Sequence, residues 1–381
     1  MRMLALARAR ALALALAAGA ALAACVTAAP RSTPEPANAP VPARTFTVEV
    51  TGSGPPMVLI PGLACSGAVW DSVVEHYRNR YRIHVLTIKG FVGEPAASGS
   101  AAASSALLPA AASSAGSAAA SSALLPAAAS SALLPAVERD LASYLREQAL
   151  SAPVIIGHSL GGFLALSLAA DEPALLGAAT VISVDGLPFL GALFDPSATA
   201  EGNQPQARAM RDQLAASTPE QYAMQSRASL AMMIKSPEVA DRVAKDSGRS
   251  DPRTVGEAMY EVLTTDLRPR LPAVRAKTLL IGAGALVPEA ARAQVAATYE
   301  GQIAAIPNHR FVLAQDARHF VMLDDPAFFF RTVDEFLEAR TGGGNLSVPL
   351  LEQSSTSLPS LTARLLAGPR RARPEETQGQ Q

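Results

Sequence analysis

Val154-Ile155-Ile156-Gly157-His158-Ser159-Leu160-Gly161-Gly162 runs from a short apolar stretch into a Gly-x-Ser-x-Gly turn. Phe163–Ala170 then takes up a helical period, with Leu164, Leu166, Leu168 and Ala169 on it. A strand that turns this tightly into a helix leaves no room for side chains beside the serine, and Gly157 and Gly161 supply that room. Ser159 is then held in a strained turn with its hydroxyl exposed, as a nucleophile requires. At ~7% each for Gly and Ser, the bare pattern arises by chance in about one chain in eight of this length, so the strand before it and the helix after it carry the inference.

Outward from this turn the chain alternates. Met57–Ile60, Ile83–Ile88, Val154–Ile156, Ala179–Val184 and Thr278–Ile281 are short apolar runs suited to parallel strands covered on both faces, and Arg310–Leu313 is a weaker one. Thr45–Thr51 alternates apolar and polar residues, as an antiparallel edge strand does. Helical periods cover Val69–Tyr77, Val137–Gln148, Phe163–Ala170, Glu289–Tyr299 and Phe328–Arg340. Strand and helix in repeated alternation imply an α/β fold, with a mostly parallel sheet doubly wound by helices.

Three segments stand apart. Residues 1–24 carry Arg2, Arg8 and Arg10 before an Ala/Leu run, the pattern of a secretory signal, and five prolines mark 25–44 as a linker. Residues 101–136 hold 17 Ala, 9 Ser, 6 Leu, 3 Pro and 1 Gly, with Ser-Ser-Ala-Leu-Leu-Pro-Ala beginning at Ser104, Ser121 and Ser130. The unit is too short for a solenoid and its prolines forbid one long helix, so it is expected to form a loop whose last copy feeds a helix starting near Ala136. Residues 341–381 turn to Gly, Ser, Pro and Gln, a composition that favours disorder. About 260 residues remain, enough for one α/β domain over 45–340. Thirty-two basic against 33 acidic residues leave a formal charge of −1, which argues against a nucleic-acid partner. A single long apolar run excludes a polytopic membrane protein, and two cysteines support neither a disulfide framework nor a zinc site.

Asp316-Ala317-Arg318-His319-Phe320-Val321-Met322 follows the last apolar run. His319 is the best-placed partner for Ser159: His158 flanks the turn but points away from its serine, His84 lies within a strand, His76 on an early helix, and His309 before the last strand. Serine elbow first and histidine beyond the final strand is the chain order of the α/β-hydrolase superfamily, which this sequence resembles across residues 45–340. The phrases Val184-Asp185-Gly186-Leu187-Pro188-Phe189 and Arg318–Pro326 are similar to those of exported bacterial members. The resemblance implies that Met57–Leu63 is the turn where many members carry His-Gly, here Pro61-Gly62. It also implies that the backbone N–H groups of Leu63 (or Ala64) and Leu160 hold the oxyanion. Cys65, two residues on, reads as a spare buried thiol.

The third member of a Ser-His-acid triad is less plain. Many relatives place it where Gly284 stands here, before Val287-Pro288. Asp185 sits at the tip of strand Ala179–Val184 and is the preferred candidate; Glu289, Asp316 and Asp195 are the alternatives. In the family's count Ala179–Val184 is strand six, and a helical cap at about 187–270 is expected between strands six and seven. Breaks at Thr218-Pro219, Ser236-Pro237 and Asp251-Pro252 divide the cap into four helical stretches. Five of its residues are methionines (Met210, Met224, Met232, Met233, Met259), suited to a pocket wall or to cap core.

The expected activity is hydrolysis of a small-molecule ester or amide, esters foremost, through an acyl-enzyme on Ser159, His319 and Asp185, with neither metal nor organic cofactor implied. A peptidase, a lactonase, a cofactor-free perhydrolase or a non-catalytic envelope lipoprotein are the other readings. Leu22-Ala23-Ala24-Cys25 resembles a bacterial lipobox, so Cys25 is expected to carry a lipid and to be the only membrane attachment. Val26 after it favours the outer membrane within an exported location, periplasmic or secreted.

Overall fold

The computed structural model describes residues 44–97 and 132–339. The expected signal segment, Cys25 and its linker, the bulk of the repeat, and the tail lie outside the described residues.

A seven-stranded sheet orders the described residues: β1 (Phe46–Gly52), β2 (Pro56–Ile60), β3 (Arg82–Ile88), β4 (Val154–His158), β5 (Thr180–Val184), β6 (Lys277–Ala283) and β7 (His309–Ala314). Their lateral order is β1-β3-β2-β4-β5-β6-β7. Only β1 is antiparallel, running against β3 at the edge, and the other neighbours are parallel. Every apolar run singled out in the sequence is a strand, and Arg310–Leu313 lies inside β7.

The period of two along each strand sorts the core into two layers. Val58, Ile60, Ile155, Val181 and Leu280 face one way, covered by α2 (Leu133–Glu147), α3 (Leu160–Asp171) and Tyr299 and Ile303 of α8 (Glu289–Ile303). Met57, Leu59, Ile83, Ile156, Ile182 and Leu279 face the other, covered by α1 (Asp71–Tyr77) and by Phe329, Val333 and Phe336 of α9 (Pro326–Glu338). Trp70 and Tyr77 are fully buried in this second layer.

The cap contains α4 (Ala200–Ala215), α5 (Pro219–Met233), α6 (Pro237–Ser247) and α7 (Pro252–Thr264). In chain order it lies between β5 and β6, the two strands that the family's count numbers six and seven. The three Thr/Ser/Asp-Pro breaks are helix starts. Thr218, Ser236 and Asp251 each accept a backbone N–H of the turn they cap, and the proline that follows lacks the N–H that would go unpaired there. Leu267 N–H donates to Pro188 O at 3.1 Å and closes the base of the cap.

Two expectations fail. α2 starts at Leu133, not near Ala136, so the end of the third repeat copy belongs to the helix. Leu133 and Leu134 are buried, and their N–H groups donate to the two oxygens of Glu261 on α7 at 2.7 Å each. A partly buried carboxylate thus caps the helix from another element, which no local pattern announces. The cap methionines also depart from expectation. Met224, Met232 and Met233 are 71%, 59% and 38% exposed, so they are not cap core, while Met210 and Met259 are half-buried.

Candidate functional site

The C-terminal tips of β2, β4 and β5 and the loop after β7 converge, as sites on parallel sheets do. Ser159 joins β4 to α3 with φ 52° and ψ −115°, a backbone conformation that costs a non-glycine residue about 1–3 kcal/mol. Its N–H is tied to Val184 O at 2.8 Å. The glycines around it permit the turn: a methyl at Gly157 would lie 2.1 Å from Gly161 O, and one at Gly161 would lie 2.1 Å from Ile60 O. Leu160 opens α3, so its N–H has no partner in the helix's own ladder. The turn Gly62–Cys65, closed by Cys65 N–H to Gly62 O at 3.2 Å, passes beside the serine; a methyl on Gly62 would lie 3.3 Å from Ser159 Cβ. Leu63 and Ala64 (φ 56°) are inside that turn. Cys65 is a free, buried thiol pushed up to about 12, chiefly by burial and then by Asp246.

Asp185 follows β5 directly, also at positive φ (51°), a conformation that Asp tolerates better than most residues. Its N–H donates to Ile281 O at 2.7 Å, and Ser183 Oγ donates to Gly186 O at 2.6 Å, which pins the Asp-Gly turn. Asp185 Oδ2 lies 2.6 Å from His319 Nδ1. Its other oxygen accepts from Ala283 N–H at 3.0 Å and Tyr299 Oη at 2.7 Å. Both oxygens of this buried carboxylate thereby have partners. Burial and the Asp185 carboxylate hold the Tyr299 phenol well above its ordinary range, which keeps it a donor.

The other acids considered for this position are far from it in environment. Asp195, Glu289 and Asp316 are exposed; Asp195 caps Ser197, and the Asp316 carbonyl accepts Lys235 Nζ. Asp185 and His319 are brought together, whereas no hydrogen bond joins Ser159 Oγ to His319 among the described residues. Of the remaining histidines, His76 pairs with Asp334, His84 with Tyr144, and His309 opens β7 with Nδ1 on Ile306 O.

Sequence reasoning missed three contributors. Tyr299 arrives from α8. His158 turns its ring away from Ser159 and onto the His319 loop, with Nε2 3.1 Å from His319 O. Asp324 accepts Arg318 N–H at 2.9 Å and Lys235 N–H at 2.8 Å, while Arg318 donates to Ile234 O at 3.1 Å, so the end of cap helix α5 is bolted to the residue before His319. Only the glycine-flanked position of His158 carried a local signal. Among the described residues no cluster of three or more His, Cys, Asp or Glu side chains is placed to hold a metal ion.

Residues 57–332 match the model of the alpha/beta hydrolase family. Over 129 residues the chain is 28% identical to a pimeloyl-[acyl-carrier protein] methyl ester esterase of Aeromonas hydrophila, a stretch that is 34% of this chain and 37% of that enzyme. The match therefore spans little more than a third of the curated relative's length. Among solved structures, the enol-lactonase from Burkholderia xenovorans LB400 superposes with a TM-score of 0.54 at 16% identity, over 77% of this chain and 96% of that one. A thermophilic esterase from Thermogutta terrifontis does so with 0.53 at 20%, over 77% and 92%. At such identities these likenesses describe the fold.

Proposed function

Since this chain belongs to the alpha/beta hydrolase family, we propose that it is a serine hydrolase that cleaves carboxylic esters through an acyl-enzyme. Ser159 Oγ attacks the ester carbonyl as His319 takes its proton, and His319 then returns that proton to the leaving alcohol. Water repeats the sequence to release the acid. Asp185 holds the His319 tautomer and offsets the imidazolium charge, and the N–H groups of Leu63 and Leu160 meet the developing oxyanion. The observation that carries this reading is the 2.6 Å contact of Asp185 Oδ2 with His319 Nδ1, made by a carboxylate whose second oxygen is already occupied. The strained Ser159 backbone supports it independently. The curated relative is a methyl ester esterase, which favours esters over amides.

The test uses the purified protein on p-nitrophenyl esters of graded acyl length, beside amide and lactone panels and a fluorophosphonate probe. Ser159→Ala is expected to abolish labelling and to lower turnover by at least about 10³-fold. Labelling that persists at another residue overturns the assignment. The proposal extends to the N-terminus, where the lipobox-like Leu22-Ala23-Ala24-Cys25 makes this an exported enzyme anchored through Cys25. Cells fed an alkyne fatty acid are expected to label the full chain but not Cys25→Ser; equal labelling of both refutes the anchor.

A further inference from the structure

His158 is the last residue of β4 and is buried, with 1% of its surface exposed. Its Nε2 lies 3.1 Å from the carbonyl oxygen of His319. A carbonyl only accepts, so Nε2 carries the proton and Nδ1 is left with its lone pair. That Nδ1 is buried without a partner and faces the oxyanion turn, where a methyl on Gly62 would approach it to 2.7 Å. The ring packs on His319 at 4.6 Å between centroids and on Phe320 at 4.3 Å. One side chain therefore touches the serine elbow, the Gly62 turn and the histidine loop.

We infer that His158 is a positioning residue, whose Nε2–H anchors the His319 carbonyl and so fixes the backbone from which the His319 imidazole serves Ser159. The inference rests on Ser159 and His319 being the reacting pair. A second proton on His158 would have no acceptor at Nδ1 and would set a charge beside the imidazolium formed in turnover. Burial and the neighbouring His319 push the His158 imidazole well below its ordinary range, in keeping with a permanently neutral strut.

Three variants separate the hydrogen bond from the packing. His158→Gln keeps a donor at the reach of Nε2 but loses the ring. His158→Phe keeps the ring and loses the donor. His158→Asn keeps an amide that falls short of the carbonyl. With a p-nitrophenyl ester, His158→Phe is expected to lower kcat about 10- to 100-fold with KM within about threefold, as a displaced base does. Fluorophosphonate labelling should slow by the same factor. His158→Gln should recover most of both losses. If His158→Phe turns over normally, or His158→Gln is no better than His158→Phe, the role is overturned. Should His158→Phe fail to give a cooperative melt, the Gln and Asn variants make the same comparison, and equal kcat for those two overturns it. Ser159→Ala run alongside separates the failures: an active Ser159→Ala sinks the underlying reading, whereas a dead Ser159→Ala with a normal His158→Phe sinks only the role of His158.

Discussion

Asp185 divides its two oxygens between different tasks. Oδ2 faces His319, while Oδ1 is held by Ala283 N–H and the Tyr299 hydroxyl, so the carboxylate cannot rotate without breaking one buried hydrogen bond for each it forms. Removing the Tyr299 hydroxyl should therefore cost stability as well as rate. Tyr299→Phe is expected to destabilise the fold by about 1–3 kcal/mol in a urea titration, because it strips one donor from a buried charged oxygen. Its kcat should fall about 10-fold, in the range typical of groups that orient a functional residue. Asp185→Asn should fall further, by about 10³- to 10⁴-fold, since the wrong tautomer of His319 is then held in place. Glu289→Gln, at an exposed position, should retain near-normal turnover; the reverse ranking of Asp185→Asn and Glu289→Gln would refute Asp185 as the acid.

Among the elements, α2 and α3 meet at a polar seam inside an otherwise apolar contact. Glu138 of α2 accepts Ser167 Oγ of α3 at 2.7 Å, and beside them Arg270 pairs with Asp171. Burial raises the Glu138 carboxyl from 4.5 to about 7, with Asp171 adding to the rise while Ser167 and Arg270 oppose it. The folded chain thus holds this proton to a higher pH than the unfolded chain does. The stability contributed by the protonated group is full below about pH 4.5 and is lost as pH rises through about 7. Glu138→Gln keeps an oxygen for Ser167 and cannot ionise. It should melt close to wild type at pH 4.5 and gain about 1–2 kcal/mol on it by pH 8, a figure reduced for the partial exposure of the site. Thermal melts across that range check the sign; a gain confined to low pH would be the wrong one.

At the scale of the whole molecule, both flanks of the Ala/Ser/Leu repeat reach the cap. On one side Val92 N–H donates to Ser250 Oγ at 2.9 Å and Asp251 N–H to Gly90 O at 2.8 Å, and on the other the start of α2 is held by Glu261. The repeat between them contributes no charge, aromatic ring or catalytic group, and long surface connections add little closure entropy. Deleting residues 104–129 is expected to leave esterase activity within a few-fold and the melting temperature little changed, whereas a deletion reaching Leu134 should also cost the packing of two buried leucines. Insoluble protein from the shorter deletion would show that the segment packs on the domain.

What the sequence determined by itself was local. Short apolar runs located six strands of the sheet and alternation located the edge strand, Thr-Pro, Ser-Pro and Asp-Pro marked three cap helix starts, and flanking glycines marked the Ser159 turn, because backbone sterics and side-chain periodicity act within a few residues. Even Asp185 could be singled out, as an acid at the tip of a strand. The tertiary structure decided which distant groups meet. Asp185 and His319 are 134 positions apart and Asp185 and Tyr299 are 114 apart; their contact depends on β5, β6 and β7 lying side by side in register, with α8 packed over them. The same holds for Glu261, which starts α2 three residues early from 127 positions away, and for the outward methionines of α5, whose spacing suits a buried face as well as an exposed one. Hydrogen bonding and burial between remote segments follow from strand order and packing, and no short window of sequence contains that order.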